Sequence, residues 1–356
     1  MYPDIPITTR TELKAKPAAD QPLGFGQIFT DYMFVMNYDE GKGWHSARIE
    51  PYAPLSLEPS AMVFHYGQAI FEGMKAYKNE DGKTMLFRPR LNFERVNSSN
   101  ERLVIPPVDP DFCVFALKQL LKLEEGWIPT APDTSLYIRP FIIATDPFLG
   151  VRPAHSYQFM IILSPSGAYY PGGLEPVSIY VEDVYVRAVR GGTGYAKTPG
   201  NYAASLISQK NAYGSGFVQV LWLDGVERRF IEEVGSMNVF FVIDDKLVTP
   251  ELNGSILPGI TRRTVIELAK NLGINVEERK ISIDELATAA RAGRVSEVFG
   301  SGTAAVISPV GRLRYEGQMM VFNDEKIGPL SQLFYDRITG VQYGRLPDEY
   351  NWMETV

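Results

Sequence analysis

The chain has 356 residues, 45% hydrophobic and 22% charged, with a formal net charge of -7, which describes an ordinary globular protein with length for about two domains. The acidic balance and the lack of a basic run exclude bulk nucleic-acid binding. Cys113 is the single cysteine, which excludes an internal disulfide and a cysteine-based zinc site, and His45, His65 and His155 are scattered without metal-ligand spacing. Apolar runs such as 159–163 and 239–243 are far too short to span a bilayer, and the start of the chain lacks a signal-peptide pattern, so a cytoplasmic protein is expected.

In chain order, a polar arm leads to a strand over 29–38, with 44–50 as its hairpin partner across the turn 39–43. An aromatic-rich stretch from Ser60 to Tyr77 is interrupted by Gly67 and Gly73, and 74–78 pairs with 84–88 through a turn at 79–82. Pro89 opens a helix over 91–103 whose face includes Leu91 and Arg95, with Phe93 beside them. The next helix has Asp109 as N-cap, Pro110 at its first position and Gly126 past its end. Strands are expected at 135–144, 157–163 and 177–183. A helix then runs from Tyr202 or Ala203 to Tyr213, with Asn201 as N-cap and Gly214 as its stop. Strands at 217–223, 227–231, 238–243 and 246–249 form a meander, followed by a helix ending near Gly273. Ser282-Ile-Asp-Glu285 is a capping box for a helix that stops at Gly293, a Gly-rich turn falls within 298–306, and the tail is mixed.

The stretch 164–176 is dense in Pro and Gly and lies between strand-like regions, so it carries the expected domain boundary. The expected division is a domain over 1–166, a loop over 167–176 and a domain over 177–356. Tyr169 and Tyr170 suit that loop to covering a site. Strands in runs, with helices between the runs, indicate an α+β fold rather than a Rossmann alternation.

The chemistry centres on Arg187-Ala-Val-Arg-Gly-Gly-Thr-Gly-Tyr-Ala-Lys-Thr-Pro-Gly-Asn-Tyr202, where one lysine, Lys197, sits among glycines that allow close backbone approach. A P-loop does not fit, because the required second glycine falls on Ala196. Two other places suit a phosphate: the helix start after Pro258-Gly-Ile-Thr261, and the Gly-rich turn Ser301-Gly-Thr303. Arg95 adds a charge-assisted contact if the first domain folds over the second. A lysine with two phosphate cradles and no metal ligands points to pyridoxal phosphate attached as a Schiff base, which also needs a carboxylate for its ring nitrogen. Glu232 and Glu233 offer that carboxylate; adjacent strand residues point to opposite faces, so one of the two looks inward. Taken alone, the pair would read as two solvated edge glutamates.

At these residues the sequence resembles the branched-chain amino acid aminotransferases, enzymes of fold type IV. The resemblance runs from about Phe29 to the C-terminus. Its most specific blocks are Phe71-Glu-Gly-Met-Lys-Ala-Tyr77, Ser135-Leu-Tyr-Ile-Arg-Pro140, Gly194-Tyr-Ala-Lys-Thr-Pro-Gly-Asn-Tyr202, Glu233-Val-Gly-Ser-Met-Asn238, Leu257-Pro-Gly-Ile-Thr-Arg262 and Gly300-Ser-Gly-Thr-Ala304. It implies a small N-terminal α/β domain and a larger, pseudo-barrel-like C-terminal β domain with helices. The implied reaction is ping-pong transfer of the amino group of leucine, isoleucine or valine to 2-oxoglutarate.

The resemblance makes Lys197 the Schiff-base lysine and proton shuttle, Glu233 rather than Glu232 the partner of the pyridine nitrogen, and Tyr202 the partner of the ring oxygen. It implies that Arg95, Ile260, Thr261 and Thr303 form the phosphate cup, within a cofactor site that also includes Ser236, Leu257 and Gly259. Tyr66, Phe71 and Tyr169 resemble the aromatic walls of the substrate pocket, with Leu149 and Val151 supplied by the partner subunit of a homodimer. Tyr137, Arg139, Thr303 and Ala304 resemble the groups that handle substrate carboxylates, and Arg139 is the candidate for the glutamate side chain. Where some mammalian relatives carry a Cys-x-x-Cys switch, this chain has Ala305 and Ser308, so thiol regulation is not expected. The alternative is another type IV enzyme, a D-amino acid aminotransferase or an aminodeoxychorismate lyase; length and the block from Phe71 favour the branched-chain reading.

Overall fold

The computed structural model describes residues 2–18, 21–169 and 173–356. Its strands and helices are, in order, β1 (Tyr32–Asp39), β2 (Gly43–Pro51), α1 (Met62–Tyr66), β3 (Ala69–Phe71), β4 (Met74–Lys78), β5 (Thr84–Phe87), α2 (Pro89–Leu103), α3 (Pro110–Leu123), β6 (Ser135–Ala144), β7 (Ser156–Ser166) and β8 (Val177–Glu182). There follow α4 (Pro199–Ala203), α5 (Leu206–Gly214), β9 (Gln219–Leu223), β10 (Ile231–Val234), β11 (Met237–Ile243), β12 (Lys246–Thr249), α6 (Ile260–Asn271) and β13 (Val276–Glu278). The chain ends with α7 (Ile283–Arg291), β14 (Val295–Gly302), β15 (Val306–Tyr315), β16 (Gln318–Val321), α8 (Pro329–Gln342) and β17 (Met353–Thr355).

Two compact units result. The first takes Met1–Tyr169, Ala196–Pro199 and Gly340–Val356; the second takes Tyr170–Tyr195 and Gly200–Thr339. A linear division cannot express this, because the lysine segment and the tail return to the first unit. With the tail included, the first unit is the longer of the two. Residues 170–172 of the expected interdomain loop lie outside the described residues.

The first unit is built on a sheet in the order β17-β5-β4-β6-β7-β1-β2, with β3 also paired to β6. Period-two alternation decides its faces. Leu136, Ile138, Ile142 and Ala144 of β6 join a core with Phe93, Val96, Leu117 and Leu120 of α2 and α3, which leaves Tyr137, Arg139 and Phe141 on the opposite face. Pro140 would break a continuous ladder, since it has no N–H to donate. It falls at the gap between the stretches where β4 and β3 pair with β6, and its carbonyl accepts the Glu72 N–H at 2.7 Å. The helix starts follow the sequence signals: the Asp109 carboxylate accepts the Asp111 N–H and Ser282 Oγ accepts the Glu285 N–H.

In the second unit β10, β9, β8, β15, β14 and β11 pair in that order, and β11 pairs back to β10. This closes a six-stranded barrel with no free edge in the ring. β12, β13 and β16 extend it. Closure lets a strand such as β11, Met-Asn-Val-Phe-Phe-Val-Ile, apolar but for Asn238, be buried along its whole length.

Three local expectations are corrected. The strand expected at 227–231 begins instead at Ile231, because the Asp224 carboxylate takes the N–H groups of Val226, Glu227, Arg229 and Phe230 at 2.8–3.1 Å and folds that stretch into a loop. The helix expected from Tyr202 is two helices, with the Ser205 hydroxyl bonded to the Tyr202 carbonyl between them at 2.7 Å. Asn201 lies inside α4 and does not cap it. Its side chain instead accepts from Thr193 Oγ1 and donates to the Thr193 carbonyl, both at 2.8 Å. The mixed tail resolves into α8 and β17, the latter paired with β5.

Candidate active site

In the first unit, the sheet face opposite the core gathers one group of expected site residues. The Arg139 guanidinium lies 4.9 Å from the Phe71 ring centre and donates to the Tyr137 hydroxyl at 3.1 Å. Lys197 Nζ lies 4.8 Å from the same Phe71 ring. The lysine's backbone is fixed on both sides: its N–H donates to Ser99 Oγ at 2.9 Å and its carbonyl accepts the Phe71 N–H at 3.0 Å. Thr198 Oγ1 adds a bond to the Ala69 carbonyl at 2.9 Å. The loop is thus pinned to β3 and α2 while the amine projects over an aromatic face. Gly73 makes room for Tyr137, since a Cβ there would lie 2.1 Å from its hydroxyl. Arg139 Nε is buried with no hydrogen-bond partner among the described residues, which marks a donor suited to an incoming carboxylate.

Arg95 emerges from α2 into a buried ion pair. The Glu72 carboxylate, fully buried, accepts from Arg95 Nε at 2.7 Å and Nη2 at 2.9 Å, from Asn92 Nδ2 at 2.8 Å and from the Gly73 N–H at 3.1 Å. Burial pushes this carboxyl up, but Arg95, Lys197 and Asn92 together hold it below the usual range, so it stays ionised. Tyr66, 40% exposed, donates to the Leu149 carbonyl. Leu149 is 66% and Val151 86% exposed, and Tyr169 is 46% exposed.

The second unit carries the other group. The hairpin from β10 to β11 turns at Gly235, where φ is +57° and glycine is favoured. Glu233, Ser236, Tyr202, Leu257 and Arg187 line one cleft. Glu233 is 3% exposed, pairs with Arg187 and accepts from Asn238 Nδ2 at 3.3 Å; Asn238 also donates to the Leu257 carbonyl at 2.9 Å. Glu232 is equally buried but turns to a different depression, where its carboxylate takes Ser255 Oγ and Asn253 Nδ2. The strand alternation is as expected. The reading of solvated edge glutamates is overturned, because each carboxylate finds its own buried partners.

Ile260 and Thr261 open α6, whose N-cap, Gly259, makes no side-chain cap bond, and a helix start of this kind suits an anion. Gly259 is also a close-approach position: a Cβ there would lie 2.0 Å from Asn238 Oδ1. Thr303 and Ala304 occupy the turn between β14 and β15. These four residues do not line the Glu233 cleft.

Residues 69–313 match the family model described as amino-transferase class IV. The chain belongs to the class IV aminotransferase family. It is 57% identical over 353 residues to a probable branched-chain-amino-acid aminotransferase of Staphylococcus aureus, covering 99% of this chain and 98% of that protein. It is 56% identical over 340 residues to branched-chain-amino-acid transaminase 1 of Bacillus subtilis, covering 95% of each. Its fold matches the crystal structure of the Escherichia coli branched-chain amino acid aminotransferase with a TM-score of 0.76 at 29% identity, covering 91% of this chain and 98% of that one. It matches the branched-chain aminotransferase of Thermoproteus uzoniensis with norvaline with a TM-score of 0.72 at 25% identity, covering 90% and 99%.

Class IV aminotransferases use pyridoxal phosphate, and the residues of this chain fit it. A buried carboxylate faces an open cleft, an uncapped helix start stands ready for an anion, and a pinned loop presents one lysine over an aromatic ring. Several supporting residues of this aminotransferase were not singled out by sequence. Glu72, Asn92, Ser99, Arg187, Asn238 and Ser255 act through hydrogen bonds between segments far apart in the chain, for which no local pattern exists. The one signal was for Glu72, an acidic residue beside Phe71 in a block whose only other charged residue is Lys75. Among the described residues, no helix is long and apolar enough to cross a membrane.

Proposed function

We infer that this chain is a pyridoxal-phosphate-dependent branched-chain aminotransferase, moving the amino group of leucine, isoleucine or valine to 2-oxoglutarate and back. The observation that carries the reading is identity of 56–57%, over nearly the whole length, to bacterial proteins named for that activity. When bound, pyridoxal phosphate supplies an electron sink and a carrier for the amino group.

The chain's own residues then divide the work. Lys197 would anchor the cofactor, and its Nζ, when free, would move a proton at the substrate Cα. Its fixed backbone means that only the side chain has to swing. Glu233, held by Arg187 and Asn238, pairs with a protonated ring nitrogen, and Tyr202 bonds the ring oxygen. Arg95, the start of α6 at Ile260 and Thr261, and Thr303 hold the phosphate, while Ser236, Leu257 and Gly259 shape the surrounding wall. Phe71, Tyr66 and Tyr169 give an apolar lining that suits branched side chains and separates them weakly, since one methylene is worth about 1–3 kcal/mol. Tyr137, Arg139, Thr303 and Ala304 take substrate carboxylates, and the orphaned Arg139 Nε supports its role toward glutamate.

The working unit in this reading is a homodimer in the cytoplasm. Leu149 and Val151, large apolar groups on a loop braced by the Arg152–Asp146 ion pair at 3.0 Å, are exposed as interface residues would be. Mass measurement in solution tests this, and a monomer with full activity would refute it. The catalytic reading is tested by half-reactions. The purified protein should be yellow, borohydride should fix the colour to Lys197, and L-leucine and L-glutamate should each discharge it. Discharge by D-alanine in their place would favour a D-amino acid aminotransferase, and a colourless protein that takes up no cofactor would refute the reading.

A further inference from the structure

Glu232 points away from the Glu233 cleft, yet it is 3% exposed and bonded on one oxygen by two donors. We propose that Glu232 is a positioning residue for Glu233, acting through Ser255 and Arg187. The inference rests on the assignment of Glu233 to the cofactor ring.

Ser255 is the junction. Its hydroxyl reaches Glu232 Oε1 and lies 2.7 Å from Asn253 Oδ1, and its N–H donates to the same Asn253 oxygen at 3.0 Å. Asn253 Nδ2 closes the ring onto Glu232 Oε1 at 3.1 Å. This small network fixes the direction of the Ser255 carbonyl, which accepts Arg187 Nη2 at 3.0 Å. The same Nη2 pairs with Glu233 Oε2. Arg187 Nε is buried and has no partner among the described residues, so this one nitrogen carries both contacts. The aim of Arg187, and with it the seat of the Glu233 carboxylate, therefore follows the Ser255 carbonyl.

The backbone leaves little slack at that point. Gly194, in the glycine stretch before the lysine, packs so closely that a Cβ there would lie 2.0 Å from the Ser255 carbonyl oxygen. Strand alternation places the two adjacent carboxylates on opposite sides of β10. One meets the cleft directly, and the other braces the first one's counter-ion from behind. Burying a second charge is costly without hydrogen bonds, and Glu232 Oε1 takes two from Ser255 and Asn253, on the loop whose Ser255 carbonyl also accepts from Arg187.

The test compares Glu232→Ala and Glu232→Gln in the full-length protein. It uses direct titration with pyridoxal phosphate and pyridoxamine phosphate, and the pH midpoint of the bound cofactor's visible absorption. Removing the carboxylate should weaken both affinities by about tenfold, within the range of coupling inside one network, and should move the pH midpoint. Glutamine keeps an acceptor oxygen at the same place and should restore both. Glu232→Ala in an Arg187→Lys background should add little further loss; fully additive losses would overturn the proposal. A purely structural role would lower thermal stability while leaving the affinity and midpoint of the folded protein unchanged, and that result would also overturn it. If Glu232→Ala does not fold, Ser255→Ala and Asn253→Ala each remove one link, and wild-type affinity and midpoint in both would overturn it. Wild-type protein that takes up no cofactor would refute the functional reading and this inference together. Tight wild-type binding with an indistinguishable Glu232→Ala would refute this inference alone.

Discussion

Gly259→Ala tests the geometry of the cleft with a single methyl group. The position has φ -67° and ψ 135°, which alanine adopts freely, so backbone strain is not the issue. The added Cβ would lie 2.0 Å from Asn238 Oδ1 and 3.2 Å from its Cγ. Ordinary contact requires the amide to retreat by roughly 1 Å, which breaks bonds of normal length. Asn238 Nδ2 then loses its bonds to Glu233 and to the Leu257 carbonyl, at 3.3 and 2.9 Å. Asn238 is 5% exposed, so water does not readily replace them. Leaving such groups unpaired costs about 1–3 kcal/mol, and the lower entropy of the unfolded alanine chain returns about 0.4–1 kcal/mol. The expected net loss is about 1–2 kcal/mol, seen as cofactor affinity weakened roughly tenfold and a lower urea midpoint. Gly200→Ala is the control. Nothing lies within 4 Å of its Cβ and the residue is in α4, so the change should be neutral or stabilise by up to about 1 kcal/mol. If Gly259→Ala binds pyridoxal phosphate like wild type and matches Gly200→Ala in stability, then Asn238 does not hold Glu233.

Three further outcomes are expected. Glu233→Gln should lower leucine transamination by roughly 10²–10³-fold, the scale of losing one preorganised electrostatic partner, and Glu232→Gln far less; equal losses would reverse the assignment of the two carboxylates. Arg139→Met should raise KM for glutamate more than for leucine, and parallel changes would remove Arg139 from substrate discrimination. Glu124 responds to pH: burial, with Asp31 nearby, pushes its carboxyl up to about 7 even though it accepts the Tyr32 N–H. Between the ordinary carboxyl value and about 7 the folded protein keeps a proton that the unfolded chain has released, so stability falls as pH rises through that window. Glu124→Gln should therefore be nearly neutral at pH 5 and stabilising by roughly 1–2 kcal/mol at pH 8, allowing for solvent screening; a pH-independent difference in urea unfolding would refute this.

Much of the candidate site was legible because its chemistry is local. Lys197 stands in a glycine-rich stretch, Glu232 and Glu233 sit before a turn, and Gly259 precedes a helix start; each is a short-range pattern with a physical meaning. Capping residues were equally readable, since Asp109 and Ser282 act within one turn of their helices. The errors fell where a side chain overrode a local preference. Asp224 gathered four backbone N–H groups into a loop where β-propensity favoured a strand. Asn201, a good N-cap by type, was taken up by Thr193 eight positions earlier.

The sequence by itself determined which residues carry charge, which strand faces alternate, and where glycine allows close approach. Those properties belong to single residues and to the period of two or 3.6. Only the tertiary structure decided which buried charge meets which partner. Arg95 goes to Glu72, Arg187 to Glu233, and Glu232 to Ser255, because each pairing joins segments that chain order keeps apart. Barrel closure and the return of the lysine segment and the tail to the first unit belong to the same class. They depend on which surfaces fit when all segments pack at once, and no window along the chain contains that information.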